Sequence, residues 1–225
     1  MKKIGTIKES SLHRALKFRY SGDDGDVEVT AGSFVCDACT GEGELVEIQT
    51  GSFGPLKEKA KSLCEKNKLK IIHPIIIQKT IEYYTPDGRL LRRRKSPKKG
   101  SAWDLFDALI YAPELPLLKN LTIELALVDI TEKRVNDGKG SWRRKGVSIA
   151  DKYLGALHHS VVLKTRKDYL QFLPLGKKKR FTARDLAEKA EIDTATARKV
   201  LYVFTKTGLV ECAGKQGRAF LYERR

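Results

Sequence analysis

Residues 36–49, CDACTGEGELVEIQ, hold two sets of groups that could do chemistry. Cys36 and Cys39 have the CxxC spacing of a zinc or redox site, whereas Asp37, Glu47 and Gln49 offer oxygen donors suited to a hard cation. A structural zinc site takes four ligands, usually as two spaced pairs, and here Cys64 and Cys212 are single and far away in sequence. If residues 34–39 are extended, Cys36 and Cys39 also project from opposite faces, because side chains alternate along a strand. A redox CxxC normally opens a helix, but SFV before the pair and the glycines after it favour a strand. The cysteines are therefore expected to pack as small apolar side chains.

The same geometry favours the acids. A turn centred on Gly41, Glu42 and Gly43 places Asp37 opposite Glu47 and Val35 opposite Gln49. Directly opposed Cβ atoms lie about 4.5–5.5 Å apart, and like charges there destabilise a sheet unless a cation sits between them. Mg²⁺ suits such a place, since it is held by one or two carboxylates with its other positions left to water and phosphate. The bland alternative is a solvated hairpin face with scattered acids. Glu9 is equally two-sided. It lies three residues before Leu12 and seven before Leu16, on the face a helix would turn to the sheet, yet Thr6 to Glu9 also forms a capping box.

Periodicity gives the elements that must carry these groups. Leu12, Ala15 and Leu16, with the stem of Arg19, predict a helix over residues 7–19, ended by SGDDGD. VEVTA, SFVCDA and ELVEIQ predict three short strands joined by glycine-bearing turns. GSFGPLKEKAKSLCEKN predicts a second helix, with Pro55 near its start, Leu56, Ala60, Leu63 and Cys64 on its buried face and lysines on the other. LKIIHPIIIQ predicts a buried strand with an edge or bulge at Pro74, and IEYYTPDGRLLRRR a hairpin turning at Pro86, Asp87 and Gly88. An amphipathic helix over 103–112 and the strand LTIELALVD complete residues 1–131. Residues 132–162 are expected to be a basic loop, NDGKGSWRRKG, and a linker helix.

Residues 163–225 have their own punctuation. Thr165 with Asp168 and Thr182 with Asp185 fit the S/T-x-x-D capping pattern, so helices begin at both. KKRFT predicts a short strand between them. A third helix over 194–206 has Ala197, Val200, Leu201 and Phe204 as its apolar stripe and Gly208 as its stop. LVECAGKQGRAFLYE predicts two strands around a Gly-Lys-Gln-Gly turn.

A chain of 225 residues can bury one full core and a second small one, so two domains are expected. Against 28 Asp and Glu stand 44 Lys and Arg, a formal net charge of +16. That excess favours a polyanionic partner, nucleic acid first and an acidic membrane surface second. No stretch approaches the roughly 20 apolar residues that span a bilayer, and MKKIG meets charged residues before any apolar run develops. Four scattered cysteines make no disulfide framework, so the cytoplasm is the expected compartment.

The order helix, three strands, helix, strand, with acids at these places, resembles the PD-(D/E)XK superfamily, the restriction endonuclease-like fold. The likeness covers about residues 1–80. It implies an α/β core of mixed sheet flanked by helices, with Glu9 on the first helix, Asp37 on the second strand and Glu47-Ile48-Gln49 on the third as catalytic residues. Asp37, Glu47 and the Ile48 carbonyl would then hold Mg²⁺ or Mn²⁺ for phosphodiester hydrolysis. Gln49 departs from the pattern, which has lysine there. Lysine can activate water and neutralise transition-state charge, whereas glutamine offers only neutral hydrogen bonds. Cys36 stands where the motif's loosely kept proline would be.

Residues 163–225 resemble a winged helix domain. That likeness implies DNA contacts from the helix at 194–206, through Thr194, Thr196, Arg198, Lys199 and Lys206, with Lys215 and Arg218 at the wing; a protein-contact role is the alternative. Arg92, Arg93, Arg94, Lys95, Lys98 and Lys99 form the densest positive run, read as a phosphate grip or as a solvated face. Arg143 and Arg144 flank Trp142, which could stack on an unpaired base or anchor its loop to the core. The expected function is a metal-dependent DNA endonuclease. Its rivals are a noncatalytic DNA-binding protein on a degenerate nuclease core and a zinc-binding regulator. Homodimerisation is common where two strands are cut.

Overall fold

A computed structural model describes residues 9–176 and 179–225. Thr6 and its capping box, and Lys178 of the KKRFT segment, lie outside these. The first helix, α1, is Ser11–Ser21, capped by Ser10, whose hydroxyl accepts from the His13 amide. Glu9 therefore precedes the cap rather than riding on the helix. Strands β1 (Asp26–Ala31), β2 (Phe34–Cys39) and β3 (Leu45–Ile48) follow, then a 3-10 turn and α2 (Lys57–Cys64). Ala60, Leu63 and Cys64 of α2 and Leu56 before it are buried as the apolar stripe requires.

Next come β4 (Leu69–Tyr84) and β5 (Leu90–Lys95), the expected hairpin, and α3 (Leu105–Leu109). β6 (Leu121–Asn136) and β7 (Val147–Leu163) complete a seven-stranded mixed sheet in the order β1-β2-β3-β4-β6-β7, with β5 on β4. β3, β4 and β6 are parallel, joined through α2 and α3; the other pairs are antiparallel. The expected linker helix is instead β7. Its β-branched, alternating sequence pairs with β6 from Ile123↔Leu163 to Asn136↔Val147, and the basic loop becomes the tip of that hairpin.

Pro74 shows why a proline sits in a central strand. The Ile72 carbonyl accepts from the Gln49 amide of the β3 side, and the Ile76 carbonyl accepts from Gly100 on that same side. Pro74 lies between them in strand alternation, so its missing N–H faces a gap where β3 has ended and β5 has not begun. The edge expected at Pro74 is local, since β6 pairs on the other side, Pro74↔Ala126, and the alternative of a bulge appears two residues later, where the β4–β6 register shifts between Ile76 and Gln78.

Residues 163–225 form α4 (Arg166–Tyr169), β8 (Arg180–Phe181), α5 (Ala183–Ala190), α6 (Thr194–Lys206), β9 (Val210–Gln216) and β10 (Ala219–Arg224). Both capping boxes are present. The final hairpin turns at Gly217 and Arg218, two residues later than expected, since Gln216 already pairs with Ala219. Among the described residues this part has no separate core. Phe106 of α3 meets Phe172 at 5.0 Å and Phe204 at 5.5 Å between ring centres, within one buried cluster that runs from α2 to α6. A second cluster, with Leu12 and Leu16 of α1, lies on the other face of the sheet. The two cores are thus divided by sheet face and not by position in the chain.

Candidate active site

The β2–β3 ladder pairs Cys39↔Leu45 and Ala38↔Val46 and stops there. This is the register expected from the turn, and Asp37 and Glu47 are its next pair. They do not close the ladder. Asp37 Oδ2 instead accepts from the Ile48 amide at 2.8 Å, so a carboxylate takes the place of a backbone carbonyl and the strands fork. In a strand a residue's N–H and C=O point the same way, so the Ile48 carbonyl also faces the fork.

The two carboxylates turn to cations on opposite faces of the sheet, which relieves the repulsion a direct pair would suffer. On the α1 face, His13 Nε2 lies 3.0 Å from Asp37 Oδ1 and Lys17 Nζ 3.9 Å from it. Lys17 also reaches Glu9 at 2.8 Å and Glu28 at 3.3 Å. Burial lowers the Lys17 pKa, but these carboxylates outweigh it and hold it above the ordinary lysine value. Burial would raise the Asp37 carboxyl; the bonds from His13 and the Ile48 amide and the nearby positive charges prevail, and its pKa lies below the usual carboxylate value.

On the α2 face, Lys59 Nζ donates to Glu47 and, at 2.7 Å, to the Val35 carbonyl. Burial and the charge of Asp37 still leave the Glu47 pKa raised against the pull of Lys59. Cys36 beside it is fully buried, and burial with the Glu47 charge pushes its thiol up to about 12. It is a packing residue with no thiolate character near neutrality. Among the described residues no three His, Cys, Asp or Glu side chains gather as a metal cluster.

Gln49 is not brought to the carboxylates. Its side-chain amide donates to the Ser52 carbonyl at 2.5 Å, and its own carbonyl meets His73 Nδ1 at 2.6 Å. Period-two alternation fails here because β3 ends at Ile48. Glu9 and His13 line a cleft of about 540 Å³ whose far wall is Ile149 to Lys152 of β7.

The expected DNA contacts divide. Arg92, Arg93, Arg94 and Lys95 lie on the exposed β5, followed by exposed Lys98 and Lys99. Arg143 and Arg144 sit at the β6–β7 tip beside Trp142, which is 83% exposed and so does not anchor the loop to the core. On α6, Thr194, Arg198 and Lys206 are open, whereas Thr196 bonds to the cap residue Asp193 and Lys199 is paired with Asp107 of α3 at 2.5 Å. Lys215 lies over the Phe220 ring and Arg218 is in the exposed final turn.

A family described as Domain of unknown function (DUF8091) matches residues 10–164. The chain belongs to that family. The matched span ends within a residue of β7, so the DUF8091 region holds α1, the fork and the whole large sheet. A relative from Treponema pallidum (strain Nichols), described as an uncharacterized protein, is 28% identical over 221 residues, covering 98% of this chain and 87% of its own. No solved structure matches.

Sequence reasoning missed His13, Lys17, Glu28 and Lys59. Three of them carried a signal. Glu9, His13 and Lys17 are four apart, the spacing of one helix face, and Lys59 lies three after Leu56 and four before Leu63, against the buried stripe. Among the described residues no helix is long and apolar enough to cross a membrane.

Proposed function

We propose that the chain is a metal-dependent DNA endonuclease with a restriction endonuclease-like core and a C-terminal winged helix that reads DNA. The observation that carries this is the fork: two strands part where an aspartate and a glutamate stand, the first near Lys17 of α1 and the second on Lys59 of α2. The donor set suits a hard divalent ion in its chemistry, because Asp37, Glu47 and the Ile48 carbonyl all offer oxygen at the fork. Asp37, Glu47 and the Ile48 carbonyl would hold Mg²⁺ or Mn²⁺ once the two carboxylates turned back from His13 and Lys59 to the fork. Such an ion lowers the pKa of bound water and neutralises charge on a phosphodiester.

The chain's own groups do the rest. Lys59 supplies, from α2, the positive charge beside Glu47 that Gln49 cannot supply from β3. His13 fixes the orientation of Asp37 through Oδ1, while the Ile48 amide fixes Oδ2. Glu9 holds Lys17 in place on the same face. Arg198 and Lys206 on α6 and the wing residues Lys215 and Arg218 remain open to phosphates.

One observation favours a noncatalytic DNA-binding protein: Lys59 and Lys17 already stand against the carboxylates, His13 bonds to Asp37, and the Gln49 amide is spent on Ser52. The two readings separate on supercoiled plasmid, single-stranded and branched DNA incubated with Mg²⁺ or Mn²⁺ and with chelator. Nuclease activity predicts metal-dependent cutting that disappears in Asp37→Asn and Glu47→Gln. DNA binding without cutting on every substrate decides for the second reading.

A further inference from the structure

The outer halves of β4, β6 and β7, with β5, extend beyond the helices as an arm. Residues 79–95 and 132–153 hold thirteen Lys and Arg against five Asp and Glu, a net charge half that of the whole chain. The cations are interleaved with aromatic rings. The Arg92 guanidinium lies 4.1 Å over the Tyr83 ring and Arg134 lies 5.6 Å from the same centre, with its Nη1 3.2 Å from the Tyr83 hydroxyl. Register puts Arg92, Tyr83, Arg134 and Ile149 in one row across β5, β4, β6 and β7, on one face of the sheet.

At Ile149 that row meets the 540 Å³ cleft whose other wall is Glu9 and His13, and His13 lies 3.0 Å from Asp37. The cleft has the size of a small-ligand pocket, about 300–1,000 Å³, a scale that suits one or two unpaired nucleotides.

The arm's tip is built to present a ring. Gly140 closes the loop by donating to the Gly146 carbonyl, and a Cβ at 140 would stand 1.8 Å from the Val147 carbonyl oxygen, so only glycine fits. Arg144 Nε donates to that same Val147 carbonyl, and Ser148 bonds to Asp137. The loop thus fixed holds Trp142 at 83% exposure with Arg143 at 5.5 Å from its ring. An indole this exposed is free to stack on a partner's flat apolar face, and Arg143 beside it favours a partner with negative charge.

We propose that this arm binds single-stranded nucleic acid, stacking unpaired bases on Trp142 and on the Arg92–Tyr83–Arg134 row, and feeds the strand along the cleft toward Asp37. Bases offer π-faces only when unpaired, and stacking on such a platform tolerates any sequence. The proposal rests on the nuclease reading only for the strand's destination; the binding itself stands without it.

The test uses the full chain in chelator, so that no cutting occurs. Fluorescence anisotropy would follow labelled oligothymidylate, oligouridylate and a duplex of the same length, and co-sedimentation would follow phosphatidylserine vesicles. Trp142→Ala is expected to weaken single-strand binding about five- to hundredfold while leaving the duplex unchanged, and Tyr83→Ala to weaken it likewise. Equal losses on the two single strands mean that the arm does not distinguish their sugars; loss on one alone names the strand it serves. In Trp103→Phe, which leaves Trp142 as the sole tryptophan, the single strand should quench the emission. Unchanged single-strand affinity in Trp142→Ala, or equal loss for duplex, overturns the proposal. So does loss confined to vesicles, which would make the arm a membrane contact. Binding that behaves as expected in a protein that never cuts would sink the nuclease reading alone.

Discussion

Strands β4 and β6 each run for 16 residues, and their two halves are held by different forces. In the inner halves Ile71, Ile72, Ile123 and Leu125 are wholly buried, with apolar side chains on both faces because helices cover both. In the outer halves the backbone ladder continues to Tyr84↔Val135, but the side chains are Tyr83, Lys133, Arg134 and a Glu132 held between Lys79 and Arg134. Burial fixes the inner half. The outer half borrows its geometry from that fixed backbone and, although Ile81 and Glu132 are buried there, leaves the cations of β5 and of the β6–β7 tip free to meet a partner.

The largest expected effect tests that division directly. Phe106→Ala removes a ring that touches Phe172 and Phe204 and should cost about 3–5 kcal/mol of unfolding free energy. Trp142→Ala at the outer tip should stay within about 0.5 kcal/mol. Urea titrations of both variants measure this, and comparable losses would end the distinction between the halves.

The fork comes next, since it joins the buried sheet to charge. Lys59→Met leaves Glu47 buried beside Asp37 without its cation and should cost about 2–3 kcal/mol near neutral pH. Glu47's folded pKa is already raised, so the folded state holds that proton more tightly than the unfolded chain does. The destabilisation is therefore absent below the unfolded value near 4.5 and grows as pH rises through the folded value. Adding Glu47→Leu should restore most of the loss. A double-mutant cycle with no coupling between positions 47 and 59 would show that the pair does not act as a unit.

Asp37 should behave in the opposite sense. Its folded pKa is lowered, so it stabilises the fold above the unfolded value near 3.8, and that contribution is lost as pH falls through the folded value. Asp37→Asn should flatten the acid limb of a stability-against-pH curve. A limb as steep as the wild type's would place the acid sensitivity elsewhere.

These residues also show what could be read before the fold was known. Strand alternation and the turn at Gly41–Gly43 gave the register of β2 with β3, because period two and loop length are local properties. The α6 stripe and the two capping boxes were legible for the same reason. What failed was non-local. Val147–Leu163 has β-branched residues at both ends, but its full length as a strand is set by β6, which offers it a long partner. Asp37 and Glu47 turn apart because Lys59 and His13 arrive from two helices, and Gln49 turns to Ser52 because β3 stops one residue earlier. A boundary near 163 was visible as a change of pattern. That the core runs across it depends on Phe106 meeting Phe204, nearly 100 residues apart in sequence, a contact only the assembled chain reveals.

The smallest effect on folding belongs to the exposed arginines, and it isolates the outer half most cleanly. Arg93 pairs with Glu82 at 3.2 Å with most of its side chain in water, a pair worth less than about 1 kcal/mol. Arg93→Gln should shift stability by no more than about 0.5 kcal/mol. Its effect on binding is of another kind, because each cation that meets a phosphate releases a counterion. If Arg93 touches a bound single strand, the slope of log affinity against log salt should shrink by about 0.7. Trp142→Ala should lower affinity at every salt concentration and leave that slope alone, since stacking releases no counterions. Two arm variants with equal stability and different salt dependence would separate charge from stacking. A shared slope would mean that the arm attracts the strand by charge alone.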